Sequence, residues 1–192
     1  MIPEAPLEDT GAGLVPAGEG WFVLNACDYR WGEIEGRRKG LAFEGERYHL
    51  FPQVGIRLRV LEPGVPMSMY HWETDEEDFL VLAGEAVLIV EGQDRPLRQW
   101  DFVHCPPGTQ HVLVGGGEEP CTILAVGSRV RHTVLTPEGT LEGAPDWGAY
   151  TVDETAARYS ACVTEETTDA AVAYAGQPEP RPTRYGDGWL PW

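Results

Sequence analysis

Between residues 54 and 60 the chain alternates strictly: Val54, Ile56, Leu58 and Val60 are interleaved with Gly55, Arg57 and Arg59. A period of two places successive side chains on opposite faces. It therefore predicts a half-buried strand with the four aliphatic residues inward and both arginines outward. Further short strands are predicted at 66–72, 78–82, 85–91, 100–105, 110–114 and 121–126. They are separated by turn chemistry at Ala83-Gly84, Gly92-Gln93-Asp94, Pro106-Pro107-Gly108, Gly115-Gly116-Gly117 and Gly127, where glycine and proline supply the dihedrals a reversal needs. Two weaker strands fall at 21–24 and 40–43, with the basic stretch Gly36-Arg37-Arg38-Lys39-Gly40 between them read as an exposed loop. No gap is long enough for crossover helices. A parallel α/β fold is thereby excluded, and the prediction is an all-β sandwich, jelly roll or barrel.

The pattern changes near both ends. Residues 1–20 are rich in proline, glycine and acid without periodicity, and read as a flexible arm. After about residue 135, segments 153–163 and 164–174 are richer in Ala, Glu and Thr and predict short helices capped by Asp153 or Thr164. The tail 177–192 carries Pro and Trp and reads as extended over the surface. The expected organisation is an arm at 1–20, a β-barrel at 21–135, and a partly helical extension at 136–192 packing on the barrel or on a second subunit.

Composition narrows the function. A chain of 192 residues with 42% hydrophobic residues can bury a core without disulfide staples. The formal net charge of -17, from 31 acidic and 14 basic residues, repels phosphate backbones and anionic lipid. Nucleic-acid and membrane partners are excluded on that ground, and solubility is the plainest use of the charge. Cysteines stand at 27, 105, 121 and 162 with no C-x-x-C pair, so a zinc ribbon or a redox dithiol has no basis. Residues 1–20 contain no apolar stretch of the signal-peptide kind, and the apolar run at 86–90 is far too short to span a bilayer. A cytoplasmic protein is expected, with a homodimer as the natural way to cover exposed strand edges.

Candidate chemistry gathers in two places. If the stretch 63–73 is read as a strand, Met67, Met69, His71 and Glu73 share one face, two metal-capable groups behind two soft apolar ones. Glu77 shares a face with Phe79 and Val81 on the next strand, and His111 opens a strand after the Pro106-Pro107-Gly108 turn. Imidazole and carboxylate together suit Zn, Fe, Mn or Ni, and two His with one carboxylate is the facial triad that activates oxygen at Fe(II). Each residue has a plainer reading: His71 as a strand-end histidine, His111 as a surface one, Glu77 as part of the solvated run Glu73-Thr74-Asp75-Glu76-Glu77-Asp78. Glu73 is either a further ligand or a general base that orients a ligand or takes a proton. His104 is a cavity candidate by its nearness to His111, whereas Cys105 reads as core filling. His49 and His132 have no partner pattern.

These residues resemble the two motifs of the cupin superfamily. The first pattern reads here as Gly64, His71-x-Glu73, Glu77 and Gly84, and the second as Trp100-Asp101, Pro106-x-Gly108 and His111. The resemblance covers about residues 40–130, and its second motif is the more specific. It implies a cupin-type double-stranded β-helix, a jelly-roll barrel, with a divalent metal in its interior. His71, Glu77 and His111 are the implied ligands, with Glu73 standing where the family pattern has a second His. Trp100 replaces a motif Gly, and Gly115 stands where Asn is frequent. The expected function is a metal-dependent small-molecule enzyme of oxygenase or isomerase type. The alternative is a non-catalytic ligand-binding or regulatory module. Met67, Met69, Phe79 and the tryptophans predict a mostly apolar cavity.

Overall fold

The computed structural model describes residues 1–45, 50–129 and 147–191, with the backbone alone at 135–136 and 139–140. His49 and His132 lie outside the described residues. In chain order the first strands are β1 (Leu7–Asp9), β2 (Leu14–Pro16), β3 (Trp31–Ile34), β4 (Arg38–Ala42) and β5 (Val54–Leu61). Next come β6 (His71–Glu73), β7 (Glu77–Ala83), β8 (Glu85–Val90), β9 (Gln93–Arg98), β10 (Phe102–Cys105), β11 (His111–Gly115) and β12 (Cys121–Ser128). The two-residue β13 (Leu135–Thr136) and β14 (Gly139–Thr140) pair with each other, and β15 (Gly148–Tyr150) follows. Two single-turn helices, α1 (Glu154–Ala157) and α2 (Ala170–Ala173), precede β16 (Arg181–Thr183).

Two antiparallel sheets carry the fold, one of order β10-β7-β12-β5-β4-β3-β16 and one of order β15-β6-β11-β8-β9. Their inner faces meet in a jelly-roll core. Leu61, Phe79, Val81, Val103, Cys105, Cys121, Ile123 and Ala125 come from the first sheet, against Ala86, Leu88 and Leu113 from the second. Both outer faces are covered as well. Trp31, Leu41, Leu58 and Val60 pack outward against Val15, Tyr29, Tyr185, Trp189 and Leu190. Behind the second sheet, Ile89, Val112 and Val114 meet Tyr70, Ala156 and Ala161. This explains β11, a strand buried at all five positions: a strand sandwiched on both sides shows a continuous apolar run instead of alternation. Among the described residues, no helix is long and apolar enough to cross a membrane.

The double covering corrects the reading of β5. Leu58 and Val60 face the outer layer, so Arg57, Arg59 and Leu61 share the opposite face, which runs from the core at Leu61 through the half-buried Arg59 to the exposed Arg57 at the cavity rim. The basic loop is corrected too: Arg38 begins β4, and its guanidinium donates to the carbonyls of Pro66 and Met67. The predicted strand at 66–72 shrinks to β6, with Pro66 making only an isolated bridge to Val114. Residues 21–24 hold no strand, only a bridge from Trp21 to Glu4. Conversely β9 is a regular edge strand although it contains Pro96. An edge position leaves the absent N–H facing outward, where it costs no ladder bond.

The first twenty residues carry more structure than their composition suggests, since β1 and β2 form a hairpin and Val15 is buried. The helices at 153–163 and 164–174 are each reduced to one turn. Asp153 caps the first, as its position predicts, whereas the second is capped by Asp169 and not Thr164. The tail docks: β16 pairs with β3, and Trp189 and Tyr185 set their rings against Trp31.

Candidate metal centre

Three strands deliver the candidate ligands. Antiparallel pairing sets His111 of β11 directly opposite His71 of β6, and their ring centroids lie 5.1 Å apart. Glu77 opens β7 in the facing sheet, where it pairs with Cys105 and Gly127. Phe79 and Val81, on the same side of β7, enter the core, which obliges the Glu77 side chain to point inward too. The result is a buried cluster in which one ligand atom each from His71, Glu77 and His111 lies within 4.8 Å of the others. One divalent cation can bridge that spacing.

The orientation of both imidazoles follows from the backbone. His71 Nδ1 lies 2.7 Å from the carbonyl oxygen of Met69, and His111 Nδ1 lies 3.0 Å from that of Thr109. A carbonyl only accepts, so each Nδ1 carries the hydrogen and each Nε2, once neutral, presents its lone pair to the cluster. Glu77 Oε2 is 3.2 Å from His111 Nε2 and 3.5 Å from His71 Nε2. Yet neither Glu77 Oε2 nor His111 Nε2, both sealed from solvent, completes a well-formed hydrogen bond. Orphaned buried polar atoms are rare and costly unless something else binds them. The donor set of two imidazoles and one carboxylate fits a divalent transition ion.

Burial and neighbouring charges act against each other on these three groups. Burial alone would push the His71 imidazole down, but Glu73 and Glu77 beside it more than offset this and raise it to about 9. Burial likewise opposes the charged form of His111, which Cys105 and Glu77 hold up at about 10. Desolvation would raise Glu77, yet the two imidazoles keep its carboxyl well below the usual carboxylate range.

The other sequence candidates divide. Glu73 lies beside the cluster, with Oε1 3.5 Å from His71 Nε2, and is more exposed than Glu77. It lines the adjoining cavity of about 210 Å³ together with Arg57, Arg59, Ser68, Trp147 and Tyr174. His104 is corrected: it faces outward, half exposed, and contacts Asp78 at 2.7 Å, because Val103 and Cys105 take the inward positions of β10. Met67 lines the cavity, but Met69 is buried against Tyr150 and Ala173. The cavity is therefore not mostly apolar, since Arg57, Arg59, Ser68, His71, Glu73 and Glu77 all border it. Sequence reasoning missed Trp147, Tyr150 and Tyr174, which form an aromatic wall with Tyr150 centred 4.8 Å from Trp147 and 5.6 Å from Tyr174. They lie far beyond the motifs and have no local signal. All four cysteines are free, and Cys105 fills core space as expected.

Comparison with known proteins points to this same central region. The family model of the cupin domain matches residues 57–127, and no curated protein matches the chain. Among solved structures, a provisionally named sugar phosphate isomerase from Acidithiobacillus ferrooxidans is 28% identical with a TM-score of 0.41. That match covers 48% of this chain and 60% of that one, so the present chain spans less than two thirds of its length. A sugar phosphate isomerase of a cupin superfamily from Silicibacter pomeroyi is 28% identical over 52% of this chain and 69% of that one, with a TM-score of 0.44. The polyketide cyclase RemF from Streptomyces resistomycificus is 17% identical over 58% of this chain and 75% of that one, with a TM-score of 0.43. The matched span contains Glu77 and both histidines of the cluster as well as every residue of the Trp100–His111 motif. The jelly roll at residues 57–127 is a cupin domain.

Proposed function

We propose that His71, Glu77 and His111 hold one divalent transition metal and that the protein is a metal-dependent enzyme acting on a small organic molecule. The observation that carries this reading is the buried convergence of the three side chains, with each Nδ1 tied to a carbonyl and with Glu77 Oε2 and His111 Nε2 left without good partners. A bound dication would supply Lewis acidity or, as iron(II), oxygen activation.

The chain's own residues do the rest. His71 and His111 are pre-oriented by their carbonyl bonds, so little reorganisation accompanies ligation. Phe79, with its ring 5.4 Å from His111, closes the site on the core side against water. Glu73 stands at the edge of the cluster and faces the cavity. It is the group placed to take a proton from a bound molecule and to return it. Trp147 and Tyr150 offer flat apolar surface over His71, at ring separations of 6.4 and 5.9 Å.

Elemental analysis of protein purified without a metal-affinity tag tests the metal centre. Near-stoichiometric transition metal is expected in the parent and little in His111→Ala. Equal metal in both would remove His111 from the site. Oxygen uptake or product formation with a substrate panel then separates turnover from simple ligand holding.

A further inference from the structure

Arg59, half-buried, and Arg57, exposed at the rim, line the cavity from β5 without a role in the metal centre, and among the described residues neither guanidinium makes a hydrogen bond or an ion pair. That is unusual in a chain with 31 acidic residues and only 14 basic ones. Other arginines here find partners: Arg129 pairs with Glu44 at 2.6 Å, and Arg184 with Asp9 at 3.0 Å. Arg38, beside them on β4, is used by backbone carbonyls. The carboxylates nearest the cavity, Glu73 and Glu77, turn to the imidazoles instead.

The packing makes room for this arrangement. Gly40 lies opposite Arg59 across the β4–β5 ladder, and a Cβ at that position would sit 2.9 Å from Arg59 Cδ. Only glycine leaves space for the Arg59 side chain to lie along the sheet. Burial, followed by repulsion from Arg57 and Arg38, lowers the Arg59 guanidinium to about 10, which reports how poorly its charge is compensated. Ser68 Oγ is also shielded from solvent and without a hydrogen-bond partner. Ser68, Arg57 and Arg59 border both the 210 Å³ cavity over His71 and an adjoining one of about 530 Å³. One buried hydroxyl without a partner, a half-buried guanidinium and an exposed one thus border a space that reaches the metal centre, and the larger cavity is the size of small-molecule pockets.

We propose that Arg57, Arg59 and Ser68 form an anion-binding subsite where the barrel cavity opens, which takes the carboxylate or phosphate of a small organic acid and sets its reacting end over His71. The anion-binding part stands on its own geometry; the position of the reacting end rests on the metal-centre reading above. Two guanidiniums suit either oxyanion, since each offers a planar fork of donors. The aromatic wall of Trp147, Tyr150 and Tyr174 would cover the body of the acid.

The test uses the full chain, stripped of metal by chelation, at low ionic strength. Inorganic phosphate, malonate and benzoate are titrated by calorimetry and by thermal shift into the parent, Arg59→Met, Arg59→Lys, an Arg57→Met/Arg59→Met double variant and an Arg184→Met control. Saturable binding is expected in the parent and in the control. It should weaken by about tenfold or more in Arg59→Met and vanish in the double variant. Arg59→Lys should fall between, showing a folded cavity with the charge but without the fork. Without anion, Arg59→Met should melt no lower than the parent, because the charge it removes has no partner. The strongest of the three anions identifies the chemical source, phosphate or carboxylate. Equal affinity in parent and double variant, or no saturable binding in the parent, overturns the subsite. Metal content measured on the same variants keeps the two readings apart: unchanged metal with no anion binding defeats this inference alone, and metal lost only in His111→Ala leaves the metal centre standing.

Discussion

His71 and His111 share one carboxylate, and that sharing sets how the centre responds to acid and base. In the metal-free protein both imidazoles hold their protons well above the usual 6.5, at about 9 and about 10. Ligation requires neutral imidazole, so a cation must displace those protons. Metal affinity is therefore expected to rise with pH across the neutral range, by about tenfold per unit for each proton released. Competition against a chelator of known affinity at several pH values measures this, and a flat profile would contradict the protonated cluster. The stability of the metal-free protein follows with the opposite sign at its two limits. Groups with raised values stabilise fully below 6.5 and lose that contribution as pH rises through about 9 and 10. Glu77, held below its usual 4.5, contributes above that value and loses its part as pH falls. The two windows overlap between 4.5 and 6.5, where denaturant unfolding of the stripped protein should show this cluster's largest contribution.

At the scale of elements, the turn between β9 and β10 explains a departure from the family motif. Trp100, in the place of a motif glycine, adopts φ 75, a left-handed conformation that costs a side-chain-bearing residue about 1–2 kcal/mol. The turn is held by Asp101, whose carboxylate accepts from the Arg98 N–H at 2.9 Å, and by the Trp100 N–H donating to the Val81 carbonyl. Trp100 is 66% exposed, so little burial compensates the strain. Trp100→Gly should raise stability by about 0.5–1 kcal/mol, the gain being trimmed by the larger entropy of glycine in the unfolded chain. Equilibrium unfolding decides the point, and a less stable variant would show that the indole makes a contact of value. Gly84, by contrast, keeps its residue type for a steric reason. At φ 73 its added Cβ would meet the Pro120 carbonyl oxygen at 2.8 Å. The spacing from Glu77 to Gly84 was readable because the length of β7 and the close turn that ends it are local properties.

At the scale of the molecule, a layer built from both chain ends covers the outer face of the larger sheet. Trp31 is buried to 1% exposure under Trp189 and Tyr185. Lys39 lies 5.5 Å over the Trp189 ring and is paired with Glu62. Trp189→Ala should cost about 2 kcal/mol or more and shift the emission of the buried Trp31 to longer wavelength as water enters. Unchanged stability and emission would mean that the tail is dispensable. This layer also marks where sequence reading stops. The chain by itself determined the β class, the turns and the spacing that unites His71, Glu77 and His111, because strand period, turn dihedrals and motif intervals are local. It also determined that Val54, Ile56, Leu58 and Val60 share one face of a strand. Which face lies inside was decided only by tertiary structure. Alternation separates two faces but cannot name the interior when residues such as Val15, Trp31 and Trp189, remote from β5, provide a second apolar layer outside. Burial of Leu58 and Val60 against that layer set Arg57 and Arg59 on the cavity face, and the same long-range packing carried Trp147, Tyr150 and Tyr174 to the cavity beside His71.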